Sequence, residues 1–249
     1  TLFQSAENYL SQILEKIHYS YAISSSKSAQ VRLNQVLSEA DKNMYKMSHN
    51  TLSAETLEYF SDKTYDKILK QSLMLFNDAG FNSVTTAYIS KKCDILEGTL
   101  WYHFNSKKNI LVAHIDLFQK MFMEQIKTIN YDKIENVFQI STKIYTLIWD
   151  FQYIFREHFD SISIDNDILK KIDEINNYVE NFTEELITKS HNHFLKLKKD
   201  ALNRLIDTIL LIGRYWLHYS KKSYPKSSNE NLRKKGTKLI FKSLYPFLN

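Results

Sequence analysis

The chain has 249 residues, of which 4 are Gly and 2 are Pro, with a formal net charge of +5 and a single cysteine. So few turn formers argue against a β-sandwich or barrel, and glycines at 80, 98, 213 and 236 stand too far apart for a phosphate-cradling loop. Cys93 alone cannot build a disulfide framework or a thiolate zinc cluster within one subunit, and no apolar run approaches the ~18 residues of a membrane span.

The charge is spread along the chain: about −1 over residues 1–60, +2 over 61–127 and +4 over 128–249. There is no basic tail, so any affinity for nucleic acid must come from a placed surface. The opening Thr1-Leu2-Phe3-Gln4-Ser5 lacks the basic start of a secretory signal. With a lone cysteine, this points to a reducing, cytoplasmic setting.

Apolar residues recur at helical spacing almost throughout, which predicts an all-α chain. A first stripe runs through Leu2, Tyr9, Leu10, Ile13, Leu14, Ile17 and Tyr21. Ser24-Ser25-Ser26 breaks it, and a thinner stripe follows through Val31, Val36, Leu37 and Met44. Ser53 reads as a helix cap, and a boundary falls near residue 60. Such a stripe gains stability by docking, so residues 1–60 are expected to pack as a helical hairpin on the rest of the chain, or on a partner subunit, rather than to read DNA.

From Thr64 a helix buries Ile68, Leu69, Leu73 and Phe76 and stops at Gly80, expected in the left-handed C′ position. Thr85 or Thr86 caps a short helix through Cys93. The turn Asp94-Ile95-Leu96 leads into Glu97-Gly98-Thr99-Leu100-Trp101-Tyr102-His103-Phe104, and Ser106 caps the next helix at Lys107. Two short helices joined by a tight turn behind a stabilising helix outline a helix-turn-helix. Ile89, Ile95, Leu100 and Phe104 supply the inward side. Thr99, Trp101, Tyr102 and His103 remain for the outer face, with Glu97 and Gly98 leading. Thr85, Thr86, Tyr88 and Lys107 lie where phosphates are met. Elsewhere Thr85, Thr86 and Ser106 would be plain caps.

Residues 64–118 resemble the DNA-binding domain of the tetracycline-repressor (TetR) family. The resemblance rests on Leu75-Phe76-Asn77-Asp78-Ala79-Gly80-Phe81, Val84-Thr85-Thr86, Ile89, Gly98-Thr99-Leu100-Trp101-Tyr102-His103-Phe104 and Ser106-Lys107-Lys108. Two departures stand out. Asp94-Ile95-Leu96 replaces the usual Gly-Val-Ser turn, which puts a tolerable Asp in a left-handed position and a poor cap at Leu96. Trp101 replaces the usual Tyr, beside an acidic Glu97. Residues 1–60 match nothing in the pattern.

The resemblance implies three units: an N-terminal extension (1–60), a three-helix helix-turn-helix domain (61–110) and an all-helical ligand and dimerisation domain (111–249). The Arg214-Tyr215-Trp216 region and Leu244-Tyr245-Pro246-Phe247-Leu248 are similar to one subgroup of repressor C-terminal domains. Two apolar helices, 199–219 and 229–245, can pair with their symmetry mates as a four-helix bundle, through Leu205, Ile209, Ile212, Trp216, Leu239 and Ile240. The alternative is that both helices are simply core. In the aromatic run from Ile144 to Phe155, the candidates to line a ligand cavity are Tyr145, Trp149, Tyr153 and Phe155, with ordinary packing the alternative. The implied partners are operator DNA, a second copy and a small apolar effector; no cofactor, metal or catalytic constellation is indicated. His191-Asn192-His193 faces two directions on a helix, and Glu184-Glu185 do not face each other. The competing reading is a protein-interaction module on a degenerate TetR-like scaffold.

Overall fold

The computed structural model describes residues 52–156, 159 and 164–248. The stripe from Leu2 to Tyr21 and the second stripe lie outside the described residues. Among the described residues there are ten α-helices: α1 (Ala54–Leu57), α2 (Thr64–Ala79), α3 (Thr86–Cys93), α4 (Glu97–His103), α5 (Lys107–Ile126), α6 (Ile134–Asp150), α7 (Gln152–Arg156), α8 (Asn166–Lys189), α9 (Lys199–Ser223) and α10 (Asn229–Leu244). A 3₁₀ turn, Tyr245–Phe247, closes the chain, and the sole strand-like pairing among them is the bridge Phe194–Leu248. No helix of these residues is long and apolar enough to cross a membrane.

The expected stops are in place. α2 buries Ile68, Leu69, Leu73 and Phe76 on one stripe and ends at Gly80. Gly80 has φ 86° and ψ 150°, so the positive φ is as expected, but ψ is extended rather than left-handed helical. That region is essentially open to glycine alone. α3 ends at Asp94, in the left-handed conformation (φ 53°, ψ 49°). The Ile95 amide reaches the Ser90 carbonyl and the Asp94 amide that of Lys91, the two bonds of a Schellman end.

α5 ties the first helices to the rest, and its buried His114 is the rivet. His114 Nε2 lies 3.0 Å from the Leu69 carbonyl of α2, and Nδ1 lies 2.9 Å from the Tyr153 hydroxyl of α7. A carbonyl only accepts, so Nε2 carries the proton and Nδ1 accepts from Tyr153. Burial pulls the ring's pKa down to about 4, against a smaller upward pull from the Leu69 carbonyl.

A second junction forms where α6 breaks into α7. The Asp150 carboxylate is buried and accepts from the Ser53 amide (3.0 Å), the Ser53 hydroxyl and the Thr56 hydroxyl (2.7 Å). Its backbone carbonyl accepts from Asn77 at the end of α2, and the Asn77 side chain in turn accepts from the Tyr153 amide. Burial pushes the Asp150 carboxyl above the usual carboxylate range, opposed by the Arg233 charge and by the Ser53 and Thr56 bonds. Residues 52–57 therefore dock on the C-terminal helices, with Ser53 capping α1 as the sequence indicated.

α9 and α10 cross closely at Gly236. A Cβ there would lie 2.5 Å from Trp216 Cδ1 and against the Tyr145 hydroxyl. Trp216 is pinned by its Nε1 donating to the Leu232 carbonyl at 2.6 Å.

Candidate nucleic-acid interface and effector cavity

The helix-turn-helix is built from local rules. Thr85 caps α3, its hydroxyl accepting from the Tyr88 amide. Leu100 and Phe104 turn inward, 0% and 4% exposed, while Tyr102 on the opposite side is 84% exposed. Trp101 and Tyr88 are both exposed, as are Thr85, Glu97 and Gly98; Thr86, Thr99 and His103 are half-buried. His103 packs edge-on to Tyr102 and to Tyr65 of α2. Of the ten residues singled out from the sequence, all but Lys107 lie on α3, its cap or α4, and each keeps some exposure.

Leu96 is the weak point the sequence indicated. It stands at the start of α4 with no side-chain cap and is 80% exposed. A bond the sequence did not announce compensates: the Thr86 hydroxyl donates to Glu97 Oε1 at 2.9 Å, joining the first residues of α3 and α4. Gly98 has open space where a Cβ would go. Glycine costs a helix roughly 1 kcal/mol against alanine, and nothing within the described chain requires it here.

Lys107 has work of its own. Its ammonium donates to the Phe81 and Val84 carbonyls at 2.8 and 2.9 Å and lies 4.4 Å from the Phe81 ring centre. It braces the loop between α2 and α3, where the sequence reading gave it a phosphate alone.

A cavity of about 80 Å³ lies among α6, α7, α8, α9 and α10. Tyr145 and Phe155 line it with Val179, Phe182, Ile209 and Phe241, and Arg214 is its one charged lining residue. The other two expected lining residues are elsewhere. Trp149 faces a smaller, polar cavity beside Asn77 and Lys221. Tyr153 is fully buried on His114. The Ser141, Thr183 and Thr237 hydroxyls each donate one helical turn back, to Val137, Val179 and Arg233. The lining is therefore apolar in character.

The expected pairing residues also divide. Leu205, Ile209, Ile212 and Trp216 are at most 9% exposed within the single chain, because the apolar stripe of α9 is covered by its own neighbours. Leu239 and Ile240 are half-buried. The outward apolar residue of α9 is Leu211, 60% exposed, with the half-buried Tyr215 one turn on. Sequence reasoning missed Leu211, Asp150 and His114. A lone acid inside an apolar aromatic run was the available signal for Asp150.

Comparison with known proteins matches this architecture. The family described as bacterial regulatory proteins, tetR family, matches residues 68–114, and that described as bacterial transcriptional repressor matches residues 117–249. YerO of Bacillus subtilis (strain 168), an uncharacterized HTH-type transcriptional regulator, is 26% identical over 157 residues, 61% of this chain and 53% of YerO. The chain thus spans about half the length of that relative. A TetR-family regulator from Marinobacter aquaeolei VT8 superposes with a TM-score of 0.65 at 22% identity, over 75% of this chain and 92% of that one. AibR, solved with isovaleryl coenzyme A and operator DNA, superposes with a TM-score of 0.55 at 16% identity, over 74% of this chain and all of AibR, 100%. These likenesses carry the fold, and the family matches cover both the helix-turn-helix and the helices that follow. The chain belongs to the TetR family of bacterial transcriptional regulators, which are not enzymes.

Proposed function

We propose that this chain is a homodimeric transcriptional repressor whose α4 enters the major groove of an operator and which a small apolar effector releases. The observation that carries the reading is the solvent-facing surface of α4: Tyr102 84% exposed beside Gly98, a glycine with open space around it. Both suit the close approach of a duplex. In this reading residues 61–110 form the reader and 111–249 the regulatory unit, with α5 crossing between them. Leu211, Tyr215 and Leu239 then take the pairing role that Leu205, Ile209 and Trp216 cannot fill alone, on the outer side of an α9–α10 bundle. A regulator of chromosomal DNA works in the cytoplasm.

The effector cavity lies beside the α9–α10 crossing, and its lining residue Phe155 sits on α7, next to the Asp150 and His114 junctions that hold α2. A ligand that favours one arrangement of these helices biases the spacing of two readers and hence operator affinity. The N-terminal residues are a poor DNA clamp at about −1 net charge over 1–60. Their described end, docked on Asp150, supports a role in setting how the reader sits.

The test is a mobility shift against DNA flanking the protein's own gene, over a range of salt. Affinity is expected to fall steeply as salt rises. Thr99→Ala and Tyr102→Phe are expected to weaken the shift while changing stability by less than about 1 kcal/mol. No shift at low salt with any fragment refutes the reading and favours a protein-interaction module.

A further inference from the structure

The outward surface of α4 carries one acid. Glu97 is exposed at the first position of the helix, between the uncapped Leu96 and the open Gly98. Its Oε1 accepts from the Thr86 hydroxyl at 2.9 Å. No lysine or arginine pairs with it among the described residues, although Lys91 and Lys92 are exposed on α3. The Thr86 bond holds the carboxylate through Oε1 on a residue that is itself exposed. Such a group is repelled by a phosphate-lined groove unless a donor on the DNA takes it.

The major groove presents amino donors on two bases, cytosine N4 and adenine N6. Adenine sets its N7 acceptor beside N6, so a carboxylate that meets the donor also meets a lone pair. Cytosine offers its donor without a neighbouring acceptor on the same base. We propose that Glu97, held in aim by Thr86, is a specificity determinant that reads the cytosine of one C·G pair in each operator half-site. This rests on the reading of α4 as the groove-binding helix. Thr86 is a positioning residue: it touches the carboxylate, and the carboxylate touches the base.

The experiment is selection from a randomised-duplex library with the full chain and three variants, Glu97→Ala, Glu97→Gln and Thr86→Val, each first checked for an unchanged melting temperature. The parent is expected to enrich a C·G pair at one position, repeated with two-fold symmetry. Glu97→Ala is expected to make that position degenerate, with a loss of roughly tenfold in discrimination per half-site, while the other positions keep their preference. Unrelated duplex should bind this variant more tightly, because a negative charge has left the face. Glu97→Gln keeps an oxygen for Thr86 and turns amide hydrogens toward the DNA. Its preference should therefore move to a base that presents an acceptor. Thr86→Val should weaken the cytosine preference without changing its identity.

The proposal is overturned if Glu97→Ala returns the parent's consensus at every position. It is equally overturned if that variant weakens cognate and unrelated duplex by the same factor, the mark of a purely structural bond. If the parent itself enriches no sequence, the groove-binding reading of α4 falls with it; if the parent enriches one that the variants do not alter, only the role of Glu97 falls.

Discussion

Acidification is expected to loosen the joint at His114. The ring is fully buried, gives its Nε2 proton to the Leu69 carbonyl of α2 and accepts at Nδ1 from Tyr153 of α7. Taking up a second proton puts a proton on Nδ1 opposite a hydroxyl that was donating, and a charge among Phe76, Phe151 and Tyr153. Burial therefore lowers the folded-state pKa from 6.5 to about 4. The unfolded chain then binds more protons between these values, so stability falls as pH falls through that window. The difference amounts to roughly 3 kcal/mol at pH 7.5, of which about 2 kcal/mol is lost by pH 5. The assay is chemical denaturation at pH 7.5, 6 and 5, at one protein concentration, for the parent and His114→Gln. The glutamine keeps a donor for Leu69 and does not titrate. The parent should be the more stable at pH 7.5, and the gap should narrow by about 2 kcal/mol by pH 5. A gap that stays constant across the range refutes a buried neutral ring at this joint.

Four further substitutions probe the other sites. Gly98→Ala should stabilise the chain by roughly 0.5–1 kcal/mol in denaturant and yet weaken operator binding, since the added methyl meets nothing but the incoming partner. Gly236→Ala should lower the melting temperature by several degrees. The new Cβ drives into Trp216, which its bond to Leu232 holds in place, and overpacking of ~1–3 kcal/mol exceeds what helix propensity returns. Asp150→Ala should cost about 2–4 kcal/mol by leaving the buried Ser53 and Thr56 donors without an acceptor; Ser53→Ala, which removes one donor and the α1 cap, should cost about 1 kcal/mol. Equilibrium denaturation of both variants checks the ratio.

What the sequence made legible was what neighbouring residues decide. Thr85 and Ser106 as caps, Asp94 in the turn, and Leu100 and Phe104 facing inward each follow from residues within a few positions. What stayed hidden was which neighbour covers an apolar stripe. The α9 stripe of Leu205, Ile209, Ile212 and Trp216 has the same spacing whether it faces a cavity, a core or a second copy; the fold covers it from within. The aromatic run 144–155 likewise carries, beyond its lone acid Asp150, no mark of the break that follows it. That break leaves Tyr145 and Phe155 on the cavity and turns Trp149 and Tyr153 to other partners. The partners of Asp150 at the break, Ser53 and Thr56, stand about a hundred residues away in sequence, and the Lys107 brace on Phe81 and Val84 is likewise a contact between distant positions.

The central claim is that two copies of α4 read one duplex together. Hydroxyl-radical footprinting of the full-length protein on its operator tests it most directly. The account predicts two protected patches on one face of the duplex, with centres about 10–10.5 base pairs or a small multiple apart and related by two-fold symmetry, and weakening of both patches together when Thr99 is replaced by alanine. One unpaired patch, or protection that survives that substitution unchanged, contradicts it.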